Sequence, residues 1–310
     1  MLGIDLFSGC GGMALGFQMA GVKIDRAYEF WDEAIKCYEK NFQHPIKKAD
    51  LSKFEFFADE ISCLNPDIIF GGPPCQDFSQ AGNRREGNNA DLTIAYAEII
   101  SRVKPKWYVM ENVDRSRKSS AYTNARKIFK KAGYGVTEIV LDASLCGAPQ
   151  KRKRFFSIGL INANDGFLNH SLEKNLSKVP MTIRSFFNGN FEIEYYYRHP
   201  RNYNRRGIFS IDEPSPTIRG VNRPVPAGYP GHPNDPVIAA GVRELSTLER
   251  ALVQTFPKSF IFPSESKTIN EQLIGNAVPV KLAEYVAKAV MNYHLSEKCP
   301  EEKEQLILNL

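Results

Sequence analysis

The chain has 310 residues and a mass of 35.0 kDa, with 40 Lys and Arg against 35 Asp and Glu, a formal charge of +5 and a pI near 8.7. Its 43% apolar residues suffice for a buried core, which excludes general disorder. The mean hydropathy is −0.34, no apolar run approaches the ~18 residues of a membrane span, and the start is not that of a signal peptide. These features predict a cytoplasmic protein, while the charge surplus alone fits a polyanion partner and small-molecule enzymes alike.

Short apolar runs alternate with helical patterns through the first half of the chain. The run 2–7 breaks at a glycine-rich turn, 8–12, which a helical pattern follows. Similar runs predict further strands at 22–28, 46–50, 67–70, 107–110, 136–141 and 155–160, and helices at 32–41, 54–63 and 92–103. Alternation of this kind over about 160 residues predicts a doubly wound, mostly parallel α/β sheet.

The pattern changes near residue 165. Residues 195–236 hold eight of the 19 prolines and five of the 13 tyrosines, a proline density that forbids long helices and central strands. Helical periodicity returns at 245–254 and 280–293. We therefore predict a catalytic domain (1–165 plus 269–295), an inserted, loop-rich, mainly β and irregular domain (166–268), and a C-terminal tail (296–310).

Arginine is unevenly distributed. Residues 179–257 hold nine Arg and no Lys. The Arg guanidinium donates two parallel hydrogen bonds to guanine or phosphate, whereas the Lys ammonium acts as a point charge. A stretch with Arg and no Lys therefore favours geometry-specific recognition. The alternative is compositional drift in a loop-rich segment.

The six cysteines are widely spaced. No C-x-x-C pair or H-x-x-x-H pattern exists, so the spacing predicts no metal site. A single free cysteine is more often a small buried residue than a catalytic one, and only its local context favours a catalytic role.

Polar groups follow the first three predicted strands. The run from Asp5 to Gly12 reads D-x-F-x-G-x-G-G, Glu29 ends the second strand and Asp50 the third. Doubly wound folds bind nucleotides at this edge, where an acidic residue accepts ribose hydroxyls. The three strand ends predict an adenosine pocket that fits NAD or S-adenosylmethionine.

Reactive side chains follow the next strands. Pro73 and Pro74 stiffen the chain before Cys75, and Glu111 ends the fifth strand. A further strand is predicted over 150–154, on which Arg152 and Arg154 face the same side. A thiol, a carboxylate and two arginines are thus predicted at one edge. Nearby arginine favours the nucleophilic thiolate.

These motifs, together with P-C-Q, E-N-V, Q-x-R-x-R and G-N-A-V-P in the same order, resemble the C5-cytosine DNA methyltransferases of bacterial restriction-modification systems from residue 2 to about 293. The resemblance implies a Rossmann-like fold, S-adenosylmethionine as cofactor, S-adenosylhomocysteine as product and no metal. It implies that Cys75 is the nucleophile and Glu111 its partner carboxylate, with Arg152 and Arg154 in the active site. The cofactor residues implied are Phe7, Gly9, Gly11, Gly12, Glu29, Phe30, Asp50, Leu51, Pro73, Asn276 and Val278.

The partner implied is double-stranded DNA, with the inserted domain as its reader. The S-P-T-I-R-G segment at 215–220 resembles an element of such domains, which makes Thr217, Arg219 and Arg223 candidate DNA contacts, together with Ser79, Arg84 and Arg85. For each arginine, a phosphate contact or solvation is the alternative. Loop 76–91 is predicted to close over a flipped cytosine.

Two alternatives stay open at this point. A tRNA methyltransferase of the same fold shares the Pro-Cys and Glu-Asn-Val motifs, although its Cys-Phe-Thr tripeptide is absent. A non-enzymatic DNA-binding relative is expected to lack Cys75 or Glu111, and both are present. We further expect a monomer without membrane contact, associated with the bacterial nucleoid, whose system includes a restriction endonuclease that does not bind it directly.

Overall fold

The computed structural model describes residues 1–74 and 90–298. Cys75, Ser79, Arg84 and Arg85 lie outside the described residues, as do positions 76–89 of the predicted closing loop and positions 299–310 of the predicted tail.

Seven strands form one sheet in the order β3-β2-β1-β4-β5-β8-β6. All pairings are parallel except those of β8, which runs antiparallel to both neighbours. The predicted doubly wound α/β sheet is thereby confirmed. The strands are β1 Leu2–Leu6, β2 Lys23–Glu29, β3 Ile46–Lys48, β4 Ile68–Gly71, β5 Trp107–Val113, β6 Tyr134–Asp142 and β8 Lys153–Ile161.

Helices cover both faces of the sheet. On β5, Trp107 and Val109 face the core beneath α1 and α10, whereas Tyr108 and Met110 face the core beneath α3, α4 and α5. Because both faces are covered, the strand is a continuous apolar run instead of an alternating one. The helices are α1 Gly12–Met19, α3 Phe54–Cys63, α4 Ala90–Val103, α5 Ser120–Lys131 and α10 Val280–Lys298.

Apart from the ten-residue helices α2 and α9, the remaining elements are short. They comprise α2 Asp32–Asn41, α6 Asn169–Lys174, α7 Ile183–Phe186, α8 Thr247–Val253 and α9 Lys267–Asn276, the antiparallel pair β9 Tyr195–Tyr197 and β10 Ile208–Ser210, and two 3₁₀ turns at 114–118 and 143–145. The two-residue strands β7, Gln150–Lys151, and β11, Ser215–Pro216, pair in parallel. No described strand between 166 and 268 exceeds three residues, in keeping with the proline density there.

Two of the predicted strands differ from the structure, one in its end and one in its continuity. The third strand ends at Lys48, so Asp50 lies two residues beyond it. The predicted strand over 150–154 is interrupted at Arg152, because the residues before it pair with β11 and those after it join the large sheet.

A carboxylate organises the chain between residues 207 and 235. Asp235 Oδ1 accepts hydrogen bonds from the backbone N–H groups of Gly207 and Ile208, both at 3.0 Å. Its Oδ2 accepts from the hydroxyl of Tyr229 at 2.6 Å and from the N–H of His232 at 3.0 Å. One side chain therefore ties the start of β10 to the irregular stretch 229–235.

Candidate active site

A cavity of about 940 Å³ opens at the carboxyl ends of the parallel strands. Ligands of doubly wound folds bind at this edge. The cavity brings together most of the predicted site residues that the structure describes, namely Phe7, Gly9, Gly12, Glu29, Phe30, Asp50, Leu51, Pro73, Glu111, Arg152, Arg154, Asn276 and Val278.

The glycine-rich turn after β1 forms one wall. Phe7, Gly9 and Gly11 all have positive φ, at 56°, 54° and 93°. Gly11 lies behind the wall, where a Cβ would come within 2.3 Å of the Phe42 ring. Gly11 therefore allows the turn to pack closely, and it is not among the residues that line the cavity.

Glu29 is fixed by three backbone donors. Its Oε2 accepts from the N–H of Gly9 at 2.7 Å, and its Oε1 accepts from those of Phe30 and Trp31 at 2.8 and 2.9 Å. A carboxylate offers about four lone-pair sites, so acceptor capacity remains on the cavity side. The Phe30 ring is 64% exposed at the cavity rim.

Asp50 and Leu51 form the next part of the wall. Asp50 Oδ1 accepts from the N–H and hydroxyl of Ser52, at 3.2 and 2.6 Å. Leu51 is buried at 2% exposure and adds an apolar surface. The pair presents an acceptor beside an apolar wall.

Asp5, the first residue of the D-x-F-x-G-x-G-G run, lines the cavity but was not a predicted cofactor or catalytic residue. It is fully buried, and no described residue donates a hydrogen bond to either carboxylate oxygen. Burial, and then the charge of Glu29, raises the pKa of Asp5 well above its usual value. The signal was present, since Asp5 is the one charged residue within the apolar strand β1.

Glu111 and Arg154 form a buried pair across β5 and β8. Arg154 Nε lies 2.9 Å from Glu111 Oε1, with the two side chains 14% and 10% exposed. Burial raises the pKa of Glu111, and the charges of Arg154 and Arg152 oppose that rise. Gly72 leaves the space for this carboxylate, because a Cβ there would lie 2.9 Å from Glu111 Oε2.

Asn112 supports the turn that leads to Cys75. Its side-chain amide donates to the carbonyl of Pro73 at 3.0 Å, and its own oxygen accepts from the N–H of Val113 at 2.8 Å. Asn112 is 5% exposed. The E-N-V motif therefore supplies both a carboxyl group and a support for the neighbouring strand end, a role the sequence analysis missed.

Arg152 differs from Arg154 in its partners. Its guanidinium donates to the carbonyls of Ile218 and Gly275, at 2.9 and 3.0 Å, and it is 2% exposed. Its hydrogen bonds thus join the cavity wall to the inserted region.

The three described candidate DNA contacts lie outside this cavity. Thr217 donates its hydroxyl to the carbonyl of Lys151 at 3.0 Å, Arg219 is half-buried and donates to the carbonyl of His199, and Arg223 is exposed. Arg219 and Arg223 belong to an arginine cluster, made up of Arg198, Arg201, Arg219 and Arg223.

Like charges act on one another within the arginine cluster. Burial, and then the charge of Arg219, lowers the pKa of Arg198 to about 10. Burial and the charges of Arg201, Arg250 and Arg223 lower that of Arg219. Mutual repulsion of this kind favours an anionic partner.

Within 1–74 and 90–298, no group of three or more His, Cys, Asp or Glu side chains is arranged to hold a metal ion. Among the helices of the same residues, none combines the length and apolar character needed to cross a membrane.

A family model described as C-5 cytosine-specific DNA methylase matches residues 1–292. The chain belongs to this family. The DNA methylase is 53% identical over 293 residues to the Type II methyltransferase M.HindV of Haemophilus influenzae, covering 94% of this chain and 96% of that one. It is 48% identical over 291 residues to the Type II methyltransferase M.HgiDI of Herpetosiphon aurantiacus, covering 94% of each.

Solved structures share the fold of this methylase. The Entamoeba histolytica methyltransferase EhMeth superposes with a TM-score of 0.73 at 18% identity, over 94% of this chain and 98% of that one. A putative DNA modification methyltransferase from an E. coli prophage gives 0.68 at 23% identity, over 94% and 99%. The family match makes the protein a DNA cytosine-5 methyltransferase of a family that generally uses S-adenosylmethionine, and the tRNA alternative is not favoured.

Proposed function

We propose that this methylase transfers a methyl group from S-adenosylmethionine to C5 of a cytosine within a specific DNA sequence, as part of a restriction-modification system. The observation that carries the proposal is the buried Glu111–Arg154 pair, which borders the same cavity as the turn leading to Cys75 and the predicted cofactor residues. The names of the two relatives support the restriction-modification context.

The cavity residues fit S-adenosylmethionine. Glu29, held by three N–H donors, would accept from the ribose hydroxyls, and Asp50 from the adenine amino group. Phe30 and Leu51 would contact the adenine ring. The buried carboxylate of Asp5, which lacks a described hydrogen-bond donor, would pair with the cationic part of the cofactor.

The remaining predicted cofactor residues would shape the pocket. Gly9 and Gly12 bring the backbone of the turn to the cavity, Pro73 borders it from the end of β4, and Asn276 and Val278 close it from the link between α9 and α10. When bound, the cofactor supplies a methyl group on a sulfonium, which is a strong electrophile.

The chain's own residues would activate the cytosine. The Cys75 thiolate attacks C6 and forms an S–C bond, while the ring electrons move towards C5. A protonated Glu111 donates to N3 and accepts from the N4 amino group, and Arg154 donates to O2, so both stabilise the electron-rich ring. After methylation, loss of the C5 proton returns electrons to the ring and expels the Cys75 thiolate.

DNA recognition is assigned to the inserted region, 166–268. C6 of cytosine is shielded within a duplex, so the target base would be flipped out at a cost of a few kcal/mol. The arginine cluster would contact phosphates and base edges, with Arg219 and Arg223 as base contacts. Ser79, Arg84 and Arg85 are proposed as further DNA contacts. We propose that the enzyme acts as a monomer.

Transfer of labelled methyl groups tests the proposal. Wild type and Cys75→Ser are incubated with labelled S-adenosylmethionine and either DNA or tRNA, and we expect label on DNA with wild type only. DNA containing 5-fluorocytosine should yield a complex that survives denaturant, because the fluorine cannot leave as a proton. Label on tRNA alone, or equal labelling by Cys75→Ser, would contradict the proposal.

A further inference from the structure

We infer that three buried side chains, Gln150, Arg152 and Gln254, form a relay that couples DNA recognition to cofactor binding. In this relay Arg152 is a positioning residue, because its hydrogen bonds join two backbone segments. The inference rests on the proposed function, since it assigns DNA to the inserted region and the cofactor to the cavity.

One end of the relay holds the peptide of Ile218. The N–H of Ile218 donates to Gln150 Oε1 at 2.9 Å, and its carbonyl accepts from Arg152 Nη1 at 2.9 Å. Gln150 is fully buried and Arg152 is 2% exposed. The side chains of Gln150, on β7, and Arg152, just after it, therefore hold both backbone polar groups of the residue that precedes Arg219.

The other end of the relay holds the end of α9. Arg152 Nη2 donates to the carbonyl of Gly275 at 3.0 Å, and Gln150 Nε2 donates to Gln254 Oε1 at 2.7 Å. Gln254 Nε2 in turn donates to the carbonyls of Ile274 and Ala277, at 2.5 and 3.1 Å. These carbonyls flank Asn276 and precede Val278, which both line the cavity.

The two ends are also in direct backbone contact. A Cβ built on Gly275 would lie 2.2 Å from the N atom of Gly220 and 2.3 Å from the carbonyl carbon of Arg219. A displacement of one segment must therefore move the other. A second link is the buried ion pair of Arg250 and Glu271, in which Arg250 also donates to the carbonyl of Arg219.

The direction of the effect follows from this geometry. DNA that engages the Arg219 side chain acts on a peptide whose polar groups are all paired in a buried site. Moving that peptide alone would leave buried polar groups unpaired, so its position is coupled to that of residues 274–278. By linkage, target DNA and cofactor should raise one another's affinity by the same factor, on the order of 5- to 150-fold.

Two substitutions interrupt the relay at different points. In Gln254→Glu, a carboxylate replaces the amide that donates to Ile274 and Ala277. In Arg152→Lys, a single ammonium replaces the fork that spans two carbonyls. Tyr134→Phe is the matched control, because it removes a buried hydrogen bond of 2.5 Å to the carbonyl of Pro105 at the opposite edge of the sheet.

The measurement is the dissociation constant of S-adenosylhomocysteine, alone and with a synthetic duplex. The duplex carries the site mapped by bisulfite sequencing of a host that expresses the wild type, and a scrambled duplex serves as reference. Wild type and Tyr134→Phe should bind S-adenosylhomocysteine at least about fivefold more tightly in the presence of the target duplex than in its absence. For Gln254→Glu and Arg152→Lys, the ratio of the constant without DNA to the constant with the target duplex should be near one. The constant of Gln254→Glu without DNA should also be close to that of the wild type, because Gln254 does not line the cavity.

Three results would overturn the relay. The first is a ratio of one in the wild type, and the second is a ratio in both variants that equals that of the wild type. The third is a loss of affinity that is the same with and without DNA, which would indicate a merely structural role. Thermal unfolding identifies a variant that fails to fold. In that case, the ratio measured for the other variant tests the relay. A wild type that methylates no DNA would count against the proposed function instead.

Discussion

Glu111 Oε1 lies 2.9 Å from Arg154 Nε, across the junction between the parallel strand β5 and the antiparallel strand β8. Burial raises the pKa of Glu111, and the neighbouring guanidinium only partly offsets that rise. The carboxyl is therefore held closer to protonation than an exposed glutamate, although its partner is cationic. This combination suits a group that must donate a hydrogen bond to a base.

The first prediction concerns the pH dependence of Arg154→Gln. Removal of the guanidinium charge should raise the pKa of Glu111 further, so protonated Glu111 persists to higher pH. We expect the alkaline decline of kcat to move to higher pH, while kcat itself falls about 10²-fold through loss of the O2 donor. Steady-state kinetics at saturating substrate across a range of pH measure both effects. A decline that stays in place or moves to lower pH would contradict the assignment.

The second prediction is that Glu111→Gln lowers kcat by about 10²- to 10⁴-fold, because the amide cannot take the place of the proton-sharing carboxyl. Binding of S-adenosylhomocysteine should change little. Glu55→Gln is the control, since Glu55 pairs with Arg102 at the surface and is 71% exposed. The hypothesis fails if Glu111→Gln keeps wild-type kcat.

The third prediction concerns Asp5. Its pKa is raised in the folded state, so the folded protein keeps a proton that the unfolded chain releases as the pH passes the ordinary carboxyl value. Wild type should therefore lose stability relative to Asp5→Asn as the pH rises from the ordinary carboxyl value towards the raised pKa of Asp5. Urea unfolding at several pH values measures this difference.

The same variant should bind S-adenosylmethionine more weakly, by about tenfold or more, because a charge-assisted contact is lost. Asp59→Asn, an exposed change on α3, should alter neither property. Unchanged cofactor affinity in Asp5→Asn would remove Asp5 from the proposed pocket.

The fourth prediction is that Gly72→Ala lowers kcat by about 10²-fold, because its Cβ would lie 2.9 Å from Glu111 Oε2 and displace that carboxyl. Gly228→Ala is the matched control, since no atom lies within 4 Å of a Cβ at that position. Steady-state kinetics and thermal unfolding of both variants separate misplacement from instability. Full activity in Gly72→Ala would show that the position of Glu111 is not critical.

The fifth prediction is that Arg219→Gln and Arg223→Gln each relax sequence preference at one base pair, with a loss of about 1–3 kcal/mol for the correct base. Arg184→Gln is the control within the inserted region, because Arg184 is paired with Glu194 and Asp212. Bisulfite sequencing of methylated plasmid DNA measures the preference. A shallower salt dependence with an unchanged set of methylated sites would indicate phosphate contacts instead.

The sheet and its ligand-binding edge could be predicted because their signals are local. Apolar runs, turn glycines and acidic strand ends each occupy a few consecutive residues, and parallel topology brings Glu29, Asp50 and Glu111 to one edge. The return of the chain through Asn276 and Val278 followed from the resemblance to a family.

What could not be predicted depends on contacts between distant residues. Gln150 and Gln254 are separated by 104 positions, and neither lies in a pattern that names the other. The two arginines of Q-x-R-x-R look equivalent in sequence, yet one contacts a carboxylate and the other two carbonyls. Only the fold distinguishes them.

Among the described residues, every strand of the seven-stranded sheet ends by residue 161, and α10, which packs against α1, begins at Val280. The loops around Asp235 contribute no hydrogen bond to that sheet within the described chain and are tied instead to a carboxylate of their own. Such loops can be lengthened, shortened or exchanged without breaking the sheet. Grafting them between relatives should therefore be a route to new DNA specificities on one unchanged catalytic scaffold, provided that the Ile218 peptide keeps its two buried partners.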